Sequence, residues 1–294
     1  MIVVTAPTGH IGRQVVRNLL HSGALVRVVT RDPSRLAAEV RTKVEIIQGS
    51  HGDAGVVRKA FAGVDTVFWL VPPDPQAVSV AAAFVDFTRP AAAALREQGV
   101  KRVVAITALG RGSPLADRAG FVTGSLAMDD LITGTGVAFR GLAMPSFMDN
   151  IARQATAIRD RGRFFLPISG DLKLPSVATQ DIASVAARWL LDDSWTGQSE
   201  VPVLGPADIS FNDMARTISD VLGKAVAYQQ IGFDAYRARS MQFGMSEAMA
   251  QGMTDMARAK DKGLDLVVPR MPEHATPTDF RQWCEGTLKP AVLG

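Results

Sequence analysis

The first residues with a chemistry of their own are Thr5-Ala6-Pro7-Thr8-Gly9-His10-Ile11-Gly12. Small residues recur at 6, 9 and 12, between the apolar run Ile2 to Thr5 and a stretch of helical spacing that opens at Ile11. A strand that passes through such a loop into a helix makes a cradle for phosphates. One small residue forms the tight turn, one lets a pyrophosphate approach the backbone, and one lets helix and strand pack closely. The helix start then presents unpaired N–H groups and the positive end of its dipole. Thr5, Ala6, Thr8, Gly9, His10, Ile11 and Gly12 are therefore expected to bind the pyrophosphate of a dinucleotide cofactor, with the His10 side chain solvated. Ala6 is a departure, because glycine usually takes that first position.

The second constellation is Arg31-Asp32-Pro33-Ser34-Arg35, directly after the β-branched run that ends at Thr30. A guanidinium at this edge suits a ribose 2′-phosphate, which it can meet with paired hydrogen bonds. A carboxylate there would instead accept from a 2′-hydroxyl. Three readings stay open: Arg31 and Arg35 as a clamp for NADP, two solvated arginines, and an NAD site built on Asp32. The clamp is preferred because Asp32 before Pro33 has the position of a helix N-cap.

The third observation is an absence. Reduction of a ketone is served by a phenol with a lysine four residues on, since the phenol gives the proton and the ammonium lowers its pKa. Here the only tyrosines are Tyr228 and Tyr236, and no lysine lies between Lys101 and Lys173. Short-chain dehydrogenases, whose phosphate loop Thr5 to Gly12 resembles, carry the phenol and lysine on the helix after strand five, and the resemblance implies Phe121 and Ser125 at the corresponding positions. A conjugated acceptor spreads the charge it receives, so hydride delivery by positioning alone suffices and water protonates the product. Weak candidates for a polar catalytic role are Thr107, Ser125, Asp129 and Asn150.

The elements that must position these groups alternate. Strands are expected at Ile2 to Thr5, Leu25 to Thr30, Val44 to Ile47, Thr66 to Val71, Arg102 to Thr107 and Val137 to Leu142. Helical segments lie between them, including a long one over 78–97 that Pro90 should bend or divide. Continuously apolar strands that alternate with helices predict a doubly wound parallel α/β sheet, a Rossmann domain over residues 1–144. Residues 145–294 are expected to form a smaller, mostly helical lobe for substrate, with 200–204 returning to the sheet. Val71 and Pro72, after strand four, and Thr107, after strand five, should border the nicotinamide end of the cofactor. Phe121, Pro145, Phe147, Phe165 and Met249 are the expected lining for substrate. Met245, Met249, Met253 and Met256 share one helical face, which reads first as core and second as an adaptable wall for flat apolar molecules.

Composition bounds the rest. The chain has 294 residues, a formal net charge of +3, 6% aromatic residues and one cysteine, Cys284. A small charge excess without long Lys/Arg runs argues against nucleic acid or an anionic membrane as the main partner. No segment reaches the roughly 18 apolar residues of a membrane helix, and the N-terminus lacks the basic region of a signal peptide. A single cysteine fits a reducing, cytoplasmic setting. No metal is expected.

Thr5 to Gly12, Arg31-Asp32-Pro33, Gly63-Val64-Asp65-Thr66-Val67-Phe68, Ser146-Phe147-Met148-Asp149-Asn150 and Val177-Ala178-Thr179-Gln180-Asp181-Ile182-Ala183 together resemble the NmrA-like family of atypical short-chain dehydrogenase/reductase relatives. The resemblance runs from residue 1 to about 223 and more loosely to the end. It implies binding of NADP(H), preferred over NAD(H), and a substrate pocket between two lobes. It also implies either an NADPH-dependent oxidoreductase of quinone, azo-dye or triphenylmethane-dye type, or a catalytically silent redox sensor that signals to a regulatory protein. An enoyl, imine or epimerase-like activity on the same fold is a third possibility. Besides Ala6, the chain departs from the family after strand three, where Gln48-Gly49-Ser50-His51-Gly52-Asp53 replaces the usual acidic residue.

Overall fold

The computed structural model describes residues 1–294. In chain order the strands are β1 (Ile2–Thr5), β2 (Val26–Thr30), β3 (Glu45–Gln48), β4 (Thr66–Trp69), β5 (Arg102–Ala108), β6 (Ala138–Met144), β7 (Ser146–Phe147), β8 (Arg163–Leu166), β9 (Ser176–Val177), β10 (Gln198–Pro202) and β11 (Ala227–Gln230). The helices are α1 (His10–His21), α2 (Ala38–Arg41), α3 (Ala54–Phe61), α4 (Phe87–Glu97), α5 (Phe121–Thr133), α6 (Asp149–Ala152), α7 (Ala155–Arg161), α8 (Thr179–Leu191), α9 (Phe211–Leu222), α10 (Phe233–Gln242), α11 (Glu247–Asp261), α12 (Phe280–Trp283) and α13 (Lys289–Leu293).

Seven strands form one sheet in the order β10-β6-β5-β4-β1-β2-β3. β1 runs parallel to β2 and β4, β2 to β3, and β4 to β5. The chain winds outward from β1 to β3 and then restarts on the other side of β1 with β4. That reversal leaves a crevice at the carboxyl ends of β1 and β4, where open α/β sheets take their ligands. Every residue of β1 and β4 is buried, as expected for strands covered on both faces. This is the expected doubly wound Rossmann sheet, and the C-terminal stretch from α9 to α13 is largely helical.

Some local expectations give way. The turn at Pro33 is a 3-10 turn, Pro33–Arg35, and α2 is a separate single turn. Pro90 does not divide its helix. It lacks an N–H and crowds the carbonyl four residues earlier, Asp86. The helix accommodates this with a widened π-turn over Ala82–Asp86 directly before α4. Pro290 is likewise preceded by a π-turn, over Cys284–Leu288.

The chain separates into two compact, interleaved units. The first comprises Met1–Ala108, Gly124–Ala143 and Ile182–Val201, and the second Leu109–Thr123, Met144–Asp181 and Pro202–Gly294. The linear boundary expected at 144 is corrected accordingly. β10 does return to the sheet beside β6, and most of α8 joins the first unit with it, whereas the segment after β5 joins the second. The first unit buries Phe61, Phe68 and Trp69 completely or almost so. The second packs its own core of Ile158, Phe164, Phe211, Ile218, Phe280 and Trp283. Within it β8 pairs in parallel with β11, and β7 with β9.

The Ser146–Asn150 motif and the Val177–Ala183 motif, of which Val177–Asp181 lies in the second unit, have a structural explanation. Asp149 accepts the Thr179 backbone N–H at 3.1 Å and its hydroxyl at 2.8 Å. Asp181 does the same for Thr278, at 3.0 and 2.8 Å. Two carboxylates thus tie chain segments 30 and 97 residues apart in sequence.

Candidate functional site

β1 delivers the chain into a turn whose geometry is unusual at one residue. Ala6 has φ +49°, the only positive φ outside glycine. Left-handed backbone costs an L-residue with a Cβ about 1–2 kcal/mol, which explains why glycine is usual here. The turn closes where Gly9 donates its N–H to the Ala6 carbonyl at 3.2 Å. A Cβ on Gly12 would lie 2.1 Å from that same carbonyl oxygen, so only glycine lets α1 pack this closely. A Cβ on Gly9 would meet nothing nearer than the Ala6 oxygen at 3.5 Å, so its face of the turn is open.

α1 begins uncapped. Gly9 stands at its N-cap without a side-chain hydrogen bond, and the first turn holds no acidic residue. Its leading N–H groups and dipole are left to an external anion. An open face at Gly9 beside an uncapped helix start fits the pyrophosphate of a dinucleotide. Ile11 is buried in the helix face, His10 is exposed, and Thr8 is half-buried. The Thr5 side chain is committed internally: it accepts the Leu70 N–H at 2.9 Å and lies 3.1 Å from the Phe68 carbonyl. Its contribution is to align the ends of β1 and β4.

At the end of β2, Arg31 and Arg35 are both exposed. Asp32 accepts from the Ser34 hydroxyl at 2.6 Å and the Ser34 N–H at 2.9 Å. These bonds hold its carboxyl below the usual value, the hydroxyl contributing most. Asp32 is thus the cap of the 3-10 turn. Val71 is buried and Pro72 exposed just past β4.

Thr107, near the end of β5, is buried with its hydroxyl 3.2 Å from that of Ser125 on α5. Asp129, one turn further along α5, is 1% exposed. Tyr228 donates its hydroxyl to the carbonyls of Leu166 and Ile168, and burial pushes its pKa up. Burial raises Tyr236 as well.

In the second unit, Phe121 and Phe147 are half-buried and Pro145 is buried. Phe165 is also half-buried, with the Arg239 guanidinium 4.0 Å over its ring. Asn150 is exposed. Met249 is 0% exposed, so its side chain has no free surface, whereas Met245, Met253 and Met256 are half-buried. This corrects the choice of Met249 as the residue of that helix to line a substrate site. A methionine stripe by itself does not reveal which of its members the fold encloses.

Sequence reading passed over His51. It is buried, with Nε2 3.1 Å from the Leu70 carbonyl. No spacing pattern marks it; its one signal is its place in the loop after β3.

A doubly wound sheet with a phosphate turn at the end of its first strand defines a Rossmann dinucleotide-binding protein. The profile of the family described as NAD(P)H-binding matches residues 7–193. The (4-alkanoyl-5-oxo-2,5-dihydrofuran-3-yl)methyl phosphate reductase of Streptomyces griseus is 32% identical over 82% of this chain and 80% of its own length. The NAD(P)H azoreductase of Xenophilus azovorans is 29% identical over 87% of this chain and 86% of its own. Among solved structures, the triphenylmethane reductase of a Citrobacter species in complex with NADP(H) matches with a TM-score of 0.79. That match has 19% identity and covers 99% of this chain and 100% of that one, and it speaks for the fold. The chain belongs to the NAD(P)H-binding family, in agreement with the NmrA-like resemblance. No helix is long and apolar enough to cross a membrane.

Proposed function

We propose that this protein is an NADPH-dependent oxidoreductase that passes hydride to a small conjugated acceptor such as a quinone or an azo dye. The observation that carries the choice of acceptor is Phe121 and Ser125 at the two positions where a ketone reductase would need a phenol and a lysine; the Ser125 hydroxyl lies instead 3.2 Å from that of Thr107. Neither hydroxyl can act as a strong acid, so the acceptor must stabilise the charge it receives. The names of the relatives, a furanone phosphate reductase, an azoreductase and a triphenylmethane reductase, support reduction of conjugated small molecules.

Bound NADPH supplies the hydride. The protein's residues bind and orient it. The open turn at Gly9 and the start of α1 take the pyrophosphate, with Gly12 allowing the close approach of helix to strand. Arg31 and Arg35 hold the 2′-phosphate, while Asp32 is kept away from it by its bonds to Ser34. Val71, Pro72 and Thr107 border the nicotinamide end. Phe121, Pro145, Phe147 and Phe165 supply apolar surface for a flat acceptor. Water provides the proton.

The test is oxidation of NADPH, followed by the loss of its absorbance, against a panel of quinones, azo dyes, conjugated furanones and saturated ketones. Turnover is expected with conjugated acceptors and not with saturated ketones. Tight NADPH binding without turnover of any panel member would make the protein a sensor instead.

A further inference from the structure

The loop between β3 and α3 carries a buried side chain with one ring nitrogen that no group of the chain engages. His51 is buried, and its Nε2 lies 3.1 Å from the Leu70 carbonyl oxygen. A carbonyl only accepts, so Nε2 carries the hydrogen. Burial lowers the imidazole pKa from 6.5 to about 4, so the ring is neutral and Nδ1 is a bare lone pair. Nδ1 is not among the buried atoms that lack a partner, and no hydrogen bond to it is made within the chain. It therefore opens to the surface.

The ring cannot turn freely. Trp69 and Phe87 pack edge-on against it, with centroids at 5.2 and 4.8 Å. Gly52 lies so close that a Cβ there would be 2.6 Å from the Phe87 ring, which fixes the loop from the other side. Leu70 is itself anchored to the phosphate loop by the Thr5 hydroxyl. His51 is thus rigidly referenced to the turn that takes the pyrophosphate.

Two other side chains of this loop make local hydrogen bonds. Ser50 Oγ accepts the Gly52 N–H at 3.2 Å. Asp53 caps α3 by accepting the Val56 N–H at 2.9 Å. The nearby charge that acts on His51 is the cation Arg31, at the end of β2, where the adenine ribose of a dinucleotide lies. The base then extends toward the β3–α3 loop.

We infer that His51 reads the adenine base: its Nδ1 accepts a hydrogen bond from the exocyclic amine, doing with a neutral ring what a loop carboxylate would otherwise do. The inference rests on the NADPH reading above and makes His51 a specificity-determining residue of that site. A base with an oxygen in place of the amine would set two lone pairs against each other.

The experiment is calorimetric binding of NADPH and of its hypoxanthine analogue, with no turnover required. Wild type is expected to bind NADPH about tenfold more tightly than the analogue. His51→Gln keeps an N–H that can reach Leu70 but has no acceptor at the Nδ1 position, so the ratio should fall close to one. His51→Asn places an amide oxygen near the Nδ1 position and gives up the Leu70 bond, so it should keep most of the preference. A merely structural histidine predicts the reverse order, with Asn the more damaging change. Equal affinities in wild type, or a wild-type ratio in folded His51→Gln, would overturn the inference while leaving NADPH binding intact. Failure of wild type to bind NADPH would overturn the functional reading and this inference together.

Discussion

The carbonyl oxygen of Ala6 occupies the place where a side chain on Gly12 would begin, 2.1 Å from an ideal Cβ. The same carbonyl accepts the Gly9 N–H. One backbone oxygen thus sets both the closure of the turn and the distance of α1 from β1. Gly12→Ala should lose about 3 kcal/mol or more, because the obstacle is backbone and cannot swing aside. Ala6→Gly should gain about 0.5–1 kcal/mol by relieving the left-handed conformation, less what the freer unfolded chain takes back. Ala6→Val should destabilise. Urea midpoints of the three variants check the order.

Gly9 makes a different prediction, since its face is open. Gly9→Val should fold with little change in melting temperature and lose most of its NADPH affinity, as the branched side chain fills the approach of the pyrophosphate. Calorimetry that showed wild-type affinity would remove the loop from the site.

Arg31→Ala should weaken NADPH binding by about tenfold to a hundredfold and leave NADH nearly unchanged, because a charge-assisted bond to a phosphate contributes roughly 1.5–3 kcal/mol. Arg31 is exposed, so the preference should shrink with added salt. Equal affinity of wild type for the two cofactors would make Arg31 a surface residue and return Asp32 to consideration.

His51 gives stability a pH dependence. Its folded pKa, about 4, lies below the 6.5 of the unfolded chain. Between those values the unfolded chain takes up a proton that the folded chain refuses. The contribution is therefore complete above about pH 6.5 and declines as pH falls toward 4, by up to about 3 kcal/mol. His51→Gln should flatten this part of a curve of melting temperature against pH. An equally steep fall in the variant would assign the effect to other groups.

Met249 is fully enclosed. Met249→Ala should cost about 2–4 kcal/mol through the cavity it leaves, with little change in the Michaelis constant for a large aromatic acceptor. A changed Michaelis constant at unchanged melting temperature would put the side chain back at the substrate.

The sequence by itself determined the parts that local physics controls. The small residues at 6, 9 and 12 between a β-branched run and a helical stretch specify a phosphate turn, since few other residues fit the close approach of backbone to backbone. Continuous apolar runs such as Thr66 to Trp69 mark strands buried on both faces, and their alternation with helices fixes a doubly wound sheet. The absence of a tyrosine–lysine pair needs no structure, because it holds for the whole chain. The tertiary structure decided whatever depends on residues far apart in sequence. β8 and β11 are 60 residues apart and become strands only by pairing with each other. The return of β10 to the sheet draws most of α8 into the first unit, so no single cut in the chain divides the two. Met249 and Met253 are the same residue type one helical turn apart, yet only the first is enclosed, because neighbouring segments rather than the helix decide burial. His51 carries no motif. Its role rests on a carbonyl 19 residues away and on two aromatic rings from β4 and α4, and that environment exists only once the sheet has formed.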